Sequence, residues 1–197
     1  MSKSALKGAV VLVTLALCIP GCSNQSEGNS AQFVTRTKLI GDLESYMSWE
    51  EAKMRLKPKL TWEVVEESKL DPVESQTEHF LAVSVKDFSH IGFSGRLVLQ
   101  FFNGQLMATL FYPDDFRHYV EALLKAEKFR IDPNRYARTE TRVHPYTRVE
   151  IVNADKMEMA SDIDLSYVVW ADERLSKEYF NALLKIEERR KKRWESR

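Results

Sequence analysis

Two apolar runs, Arg96 to Phe102 and Gln105 to Tyr112, flank the dipeptide Asn103-Gly104, and no other stretch of the chain restricts its fold as much. A two-residue turn with positive φ at both central positions matches the right-handed twist of paired strands, and Asn-Gly takes up that geometry readily. The pattern predicts an antiparallel hairpin at the centre of a sheet. Before it, Ser48-Trp49-Glu50-Glu51 forms a capping box: Ser48 accepts the amide three residues on and Glu51 reaches back. A helix then runs to Leu56 and is closed by Pro58. Leu60 to Glu67 reads as a strand. Beyond the polar stretch through Asp71-Pro72, a second strand from His79 to Val85 places Leu81, Val83 and Val85 on a single buried face.

After the hairpin, Pro113-Asp114-Asp115 starts a helix with Asp114 as its cap and Asp115 complementing its dipole. Its Phe116, Tyr119, Val120, Leu123 and Leu124 recur at helical spacing and face the sheet. The pattern restarts past Ile131 and Asp132-Pro133-Asn134, with strands at Thr139 to Val143, Thr147 to Val152 and Leu165 to Ala171. Asp172 caps a long C-terminal helix whose stripe is Leu175, Tyr179, Ala182, Leu183 and Ile186. Beyond that stripe the helix is almost wholly charged and includes the run Arg189-Arg190-Lys191-Lys192-Arg193. The expected class is therefore α+β: an antiparallel sheet with a central hairpin packed against helices, and a long C-terminal helix. Residues 33–197 form a single α+β domain in this reading, either undivided or in two lobes dividing near residue 131.

The first residues carry a different chemistry. Lys3 and Lys7 precede Gly8 to Ile19, a stretch of twelve residues broken only by Thr14, and Pro20-Gly21 interrupts it just before Cys22. Crossing a bilayer takes roughly 20 apolar residues, whereas runs of about 10 to 14 suit the core of a signal peptide. The run Ile19-Pro20-Gly21-Cys22 resembles the lipobox of bacterial lipoproteins, with an aliphatic residue three before the cysteine and a small residue next to it. That resemblance implies cleavage of residues 1–21, diacylglycerol on the Cys22 thiol, and an acyl chain such as palmitate on the new amine. Ser23, in the position where enteric-type sorting reads aspartate as inner-membrane retention, implies the outer membrane. Residues 22–32 then act as a lipidated flexible tether of roughly 15 to 20 Å reach. Two or more acyl chains suffice for stable attachment without a spanning helix.

The chain has only two cysteines, Cys18 and Cys22, so the folded part holds none. Disulfides, cysteine nucleophiles, zinc-cysteine sites and iron-sulfur clusters are thereby excluded from it. A core is affordable without them, because a chain of this length buries close to 70% of its unfolded surface. From Cys22 onward the balance is 27 basic against 29 acidic side chains, which argues against bulk nucleic-acid binding.

Residues 46 to 112 also bear a family resemblance. Met47-Ser48-Trp49-Glu50-Glu51-Ala52 with Leu56 and Pro58, followed later by Leu97-Val98-Leu99-Gln100-Phe101-Phe102-Asn103-Gly104-Gln105-Leu106, resembles the helix-to-turn motif and central hairpin of BamE/SmpA-like small lipoproteins of the outer-membrane assembly machinery. Lys57 stands where that family has glycine, and residues beyond about 130 have no counterpart in it. The resemblance implies a helical layer on an antiparallel sheet and a non-enzymatic role in stabilising a multi-protein assembly.

Candidate catalytic groups read as structure. Gly92-Phe93-Ser94-Gly95 lacks the spacing of a nucleophile elbow and precedes a strand, so a turn is expected. Asp114, Asp115 and His118 read as a helix start rather than a metal site, and Asp155, Glu158, Asp162 and Asp164 as a solvated loop without calcium-loop spacing. His79, His90 and His144 have no neighbouring motif, and Trp49, Trp62, Trp170 and Phe101-Phe102 read as core. The function expected is a membrane-anchored, non-catalytic binding or assembly protein of the bacterial envelope. It faces the periplasm, is attached through lipid on Cys22, and binds an envelope protein without metal, cofactor or nucleic acid. The alternative is a periplasmic hydrolase whose active site is assembled from residues distant in sequence. Arg189, Arg190, Lys191, Lys192 and Arg193 are a candidate contact for anionic lipid or an acidic partner.

Overall fold

Asn103 and Gly104 adopt the backbone their sequence calls for, with φ of 49° and 76°. They join two strands, Phe93–Phe102 and Gln105–Pro113, at the middle of a seven-stranded sheet. The computed structural model describes residues 34–56, 60–70, 78–130, 132, 137–156 and 166–196. In chain order the elements are α1 (Trp49–Arg55), β1 (Trp62–Lys69), β2 (His79–His90), β3 (Phe93–Phe102), β4 (Gln105–Pro113), α2 (Phe116–Glu127), β5 (Arg138–His144), β6 (Thr147–Val152), β7 (Tyr167–Asp172) and α3 (Glu173–Glu195). The strands lie in the order β1-β2-β3-β4-β7-β6-β5, each antiparallel to its neighbour. The strands on either side of residue 131 meet where β4 pairs β7, from Ala108 opposite Ala171 to Phe111 opposite Val168. They therefore continue one sheet.

The capping box is present in full: Glu51 N–H donates to Ser48 Oγ at 3.2 Å and Ser48 N–H to Glu51 Oε2 at 2.7 Å. Pro58, which was expected to close α1, lies outside the described residues. Strand β1 begins two residues later than the sequence pattern suggests, at Trp62. For β7, the expected first residue Leu165 lies outside the described residues.

The structure departs from the sequence pattern in two places. Strand β2 is longer than expected and buried on both faces, not one. Val83 and Val85 join Leu97, Leu99, Phe101, Phe111 and Trp170 on one side, under α1, α2 and the segment Thr37–Met47. Phe80 and Ala82 join Val98, Phe102, Ala108 and Ala171 on the other, where α3 supplies Leu175 and Ala182. Ala82, which reads as an outer position, is covered in the cluster that α3 completes. The second correction is the α2 cap: it is Asp115, not Asp114, that accepts from His118 N–H, at 3.2 Å. Asp114 N–H still donates to Ser94 O at 3.0 Å, so the hairpin ladder extends to that residue and the helix starts one later. The apolar side of α2 faces the sheet as its spacing suggested, with Tyr119, Val120 and Leu123 buried.

The segment before α1 carries no periodic signal, yet Leu39, Ile40, Leu43 and Met47 are buried. Backbone hydrogen bonds fix it to the sheet, Tyr46 N–H to Leu106 O at 3.0 Å and Leu106 N–H to Met47 O at 2.8 Å. Thr147 adds a hydroxyl contact to Thr37 at 2.5 Å and donates to Lys38 O at 2.9 Å.

Candidate functional site

The start of α3 is fixed by a polar cluster that positions the whole helix. Asp172 ends β7 with a fully buried side chain and accepts from the N–H groups of Arg174 at 2.9 Å and Leu175 at 3.4 Å. The Arg174 guanidinium folds back onto the same carboxylate, Nε to Oδ1 at 3.1 Å and Nη2 to Oδ2 at 2.6 Å. It also donates to Thr35 O at 2.7 Å and lies over the rings of Tyr146, 4.0 Å away, and Tyr46, 5.1 Å away. Burial alone would raise the Asp172 pKa, but hydrogen bonds from Arg174 and Ser45 outweigh it and hold the carboxyl below its ordinary range. None of Thr35, Ser45, Tyr46, Tyr146 and Arg174 is near all the others in sequence, so no local motif announces the cluster.

From this cap α3 packs on one face of the sheet, against β4 and β7. Leu175, Ala182 and Ile186 are buried, and Tyr179 packs on Phe80 and Phe102 at ring separations of 5.2 and 5.5 Å. The basic run follows on the same continuous helix. Arg190, Lys191, Lys192 and Arg193 are exposed and Arg189 is half-buried; Arg189 and Arg193 interact with other groups of the chain. Trp194 is 80% exposed, and Phe180 and Leu184 are also exposed on the side of α3 away from the sheet. Cys22 and residues 22–32 lie outside the described residues.

Among the described residues the candidate catalytic groups do not converge. Ser94 sits in β3 opposite Ser89, exposed, beyond a turn with Ile91 at φ 43° and Gly92 at φ 87°. Asp115 and His118 form a helix-start pair, Nδ1 to Oδ2 at 2.7 Å, and the His118 hydrogen bonds lower the Asp115 pKa. His79 contacts Glu67 at 3.1 Å, and His144 is exposed at the end of β5. Of the acidic loop only Asp155 is described, exposed in a short 3-10 turn; Glu158, Asp162 and Asp164 lie outside the described residues. Among the described residues no three His, Cys, Asp or Glu side chains are placed to share a metal. A cleft of about 310 Å³ between α2 and the Asn153–Lys156 segment, and one of about 320 Å³ over Phe88 and Leu56, have no histidine in their walls.

The chain matches no family model, no curated protein and no solved structure. Phe101 and Trp170 are buried in the core, and Trp49 and Trp62 pack half-buried against it, edge-on to each other at 4.9 Å. His90, by contrast, has a setting that its sequence neighbours gave no hint of. It lies among Phe111, Tyr119 and Trp170, with Nδ1 2.8 Å from Tyr119 Oη. Burial, with a smaller contribution from Lys38, pushes its pKa down to about 4. Because the folded value lies below the unfolded one near 6.5, the unfolded chain binds the extra proton between them. Stability should thus be complete above about pH 6.5 and fall as the pH drops toward 4. Urea melts of His90→Gln across that window should show a shallower pH dependence than the parent; identical slopes would assign the dependence to other groups.

Another surface feature is the edge at β1. Among the described residues it pairs only with β2, and Val64 and Val65 on it are 58% and 59% exposed. A bulge between Val64 and Glu66 bends the strand, and Glu63, Glu66 and Glu67 give it acidic character. At the opposite edge, β5 is laced by ion pairs, Arg138 to Glu150 at 3.5 Å and Arg148 to Glu140 at 3.4 Å.

Proposed function

We propose that this chain is a lipid-anchored protein of the bacterial cell envelope, attached through Cys22 at the periplasmic face of the outer membrane, whose folded part binds an envelope protein without catalysing a reaction. The anchor rests on the order of charge, short apolar stretch, Pro20-Gly21 and Cys22. The binding role rests on the β1 edge with its two exposed valines. Unpaired edge N–H and C=O groups are a template for another strand, and proteins normally blunt them. Here the bulge and the carboxylates discourage indiscriminate pairing, while an extended basic segment would find hydrogen bonds, apolar contact and complementary charge.

Two experiments test the two halves. Cys22→Ala should abolish incorporation of radiolabelled fatty acid and leave residues 1–21 uncleaved, with the folded part intact by circular dichroism; label retained in the variant would remove the anchor from the account. Affinity purification of the lipidated protein from its own envelope should recover a protein that is lost when Val65 is replaced by lysine. Recovery unchanged by that substitution would remove β1 as the binding edge.

A further inference from the structure

The far end of α3 combines an exposed apolar line with a cluster of exposed cations, of which Lys191 lies 4.0 Å from Glu195 on the next turn. Phe180 and Leu184 are one turn apart, and Trp194 follows Phe180 by roughly four turns, so all three share one side of the helix. They are 58%, 42% and 80% exposed, while the opposite side carries Leu175, Ala182 and Ile186 into the core. Glu187 and Lys191 fall along the same exposed line. The cationic run surrounds the distal half of that line, with Arg190, Lys191 and Lys192 exposed.

Charge is distributed unevenly about this helix end. Residues 185–197 hold seven cations and three carboxylates, whereas residues 22–184 hold 20 cations and 26 carboxylates. An anionic surface therefore attracts the tip of α3 and repels the rest of the molecule, which favours approach by the tip. An exposed tryptophan beside a cluster of lysine and arginine suits the boundary between head groups and acyl chains, where the indole is amphipathic and long cationic stems reach phosphate.

We propose that the C-terminal end of α3 is a membrane-contact site that docks on anionic phospholipid, with Arg190, Lys191 and Lys192 meeting head-group phosphates and Trp194 entering the interface. The site deepens the envelope reading above, because it supplies a second contact that orients the folded part beside the bilayer to which Cys22 would tether it. Each cation near an anionic surface contributes about fivefold to partitioning, and the attraction falls with salt over a screening length of roughly 8 Å at physiological ionic strength.

The test separates this site from the anchor. Residues 34–197 form one compact unit that contains the whole sheet and both cores, so that fragment can be measured without Cys22. It should float with vesicles of phosphatidylcholine mixed with phosphatidylglycerol, remain free with phosphatidylcholine alone, and dissociate in high salt. Brominated lipid should quench its fluorescence in the mixed vesicles, and the quenching should disappear in Trp194→Phe. Replacing Arg190, Lys191 and Lys192 together by glutamine should weaken flotation by roughly a hundredfold. Circular dichroism controls for folding; because these side chains lie outside the core, each variant should keep the parent spectrum. Flotation that ignores lipid charge, or that survives the triple substitution, would overturn the site. So would a fragment that stays free of both vesicle types but forms a dimer disrupted by Phe180→Ser, which would assign the exposed line to a second copy of the chain. An unmodified Cys22 in the native protein, alongside charge-dependent flotation of the fragment, would end the anchor reading and leave this site standing.

Discussion

Gly95→Ala should destabilise the fold by about 3 kcal/mol, the upper end of what overpacking a well-filled core costs. A Cβ at this position would lie 2.3 Å from Tyr112 O, 2.8 Å from Pro113 Cα and 2.9 Å from Phe111 Cε2. Two of those atoms are backbone, and they belong to β4 where Gly95 pairs with Pro113. They cannot rotate away as a side chain end can. Gly95 also faces Phe88 where β2 resumes its register after a shift, so relief by moving β3 would disturb the strand on its other side. Gly104 is the matching control. A Cβ there meets nothing within 4 Å, and only its φ of 76° opposes a side chain, so Gly104→Ala should cost about 1 kcal/mol. Equal losses in chemical denaturation of the two variants would contradict the close approach of β3 and β4.

Asp172→Ala should also cost about 3 kcal/mol, by removing a helix cap and leaving Arg174 without its carboxylate. The estimate sits at the low end for breaking a buried pair because the Arg174 side chain keeps 27% of its surface exposed. The sign of the pH dependence follows from the direction of the shift. The folded-state pKa of Asp172 is depressed, so its contribution is fully present above the unfolded value near 3.9 and is lost as the pH falls through the folded one. Acid titration of stability should therefore flatten at its lowest end in Asp172→Ala. A variant as stable as the parent, with an unchanged acid limb, would show that the α3 start is held by packing alone.

The parts of the fold that sequence pattern revealed are those encoded by neighbours. The capping box, the Asn103-Gly104 turn and the stripes of α2 and α3 each depend on residues within one or two turns of one another. The second buried face of β2 was hidden because alternation reports which side is more apolar, and Ala82 and Ser84 are small enough to read as an outer face. The cap of α2 was displaced by one residue because a hydrogen bond from Asp114 to the distant Ser94 decides it. The segment Thr37–Met47 gave no signal, since turns and hydrogen bonds to β4 hold it rather than a repeating stripe. Of the proposed functional surfaces, Cys22 and the basic run are legible as local chemistry. The exposed line on α3 needed knowledge of which side the sheet occupies, and the β1 edge needed the pairing of the whole sheet.

Intact-mass measurement of the protein extracted from the membranes of its own cells decides whether Cys22 carries lipid. A chain beginning at Cys22 and carrying the added mass of a diacylglycerol and an amide-linked acyl group is the predicted result; a chain that retains residues 1–21, or one that begins at or before residue 22 with an unmodified Cys22, would contradict it.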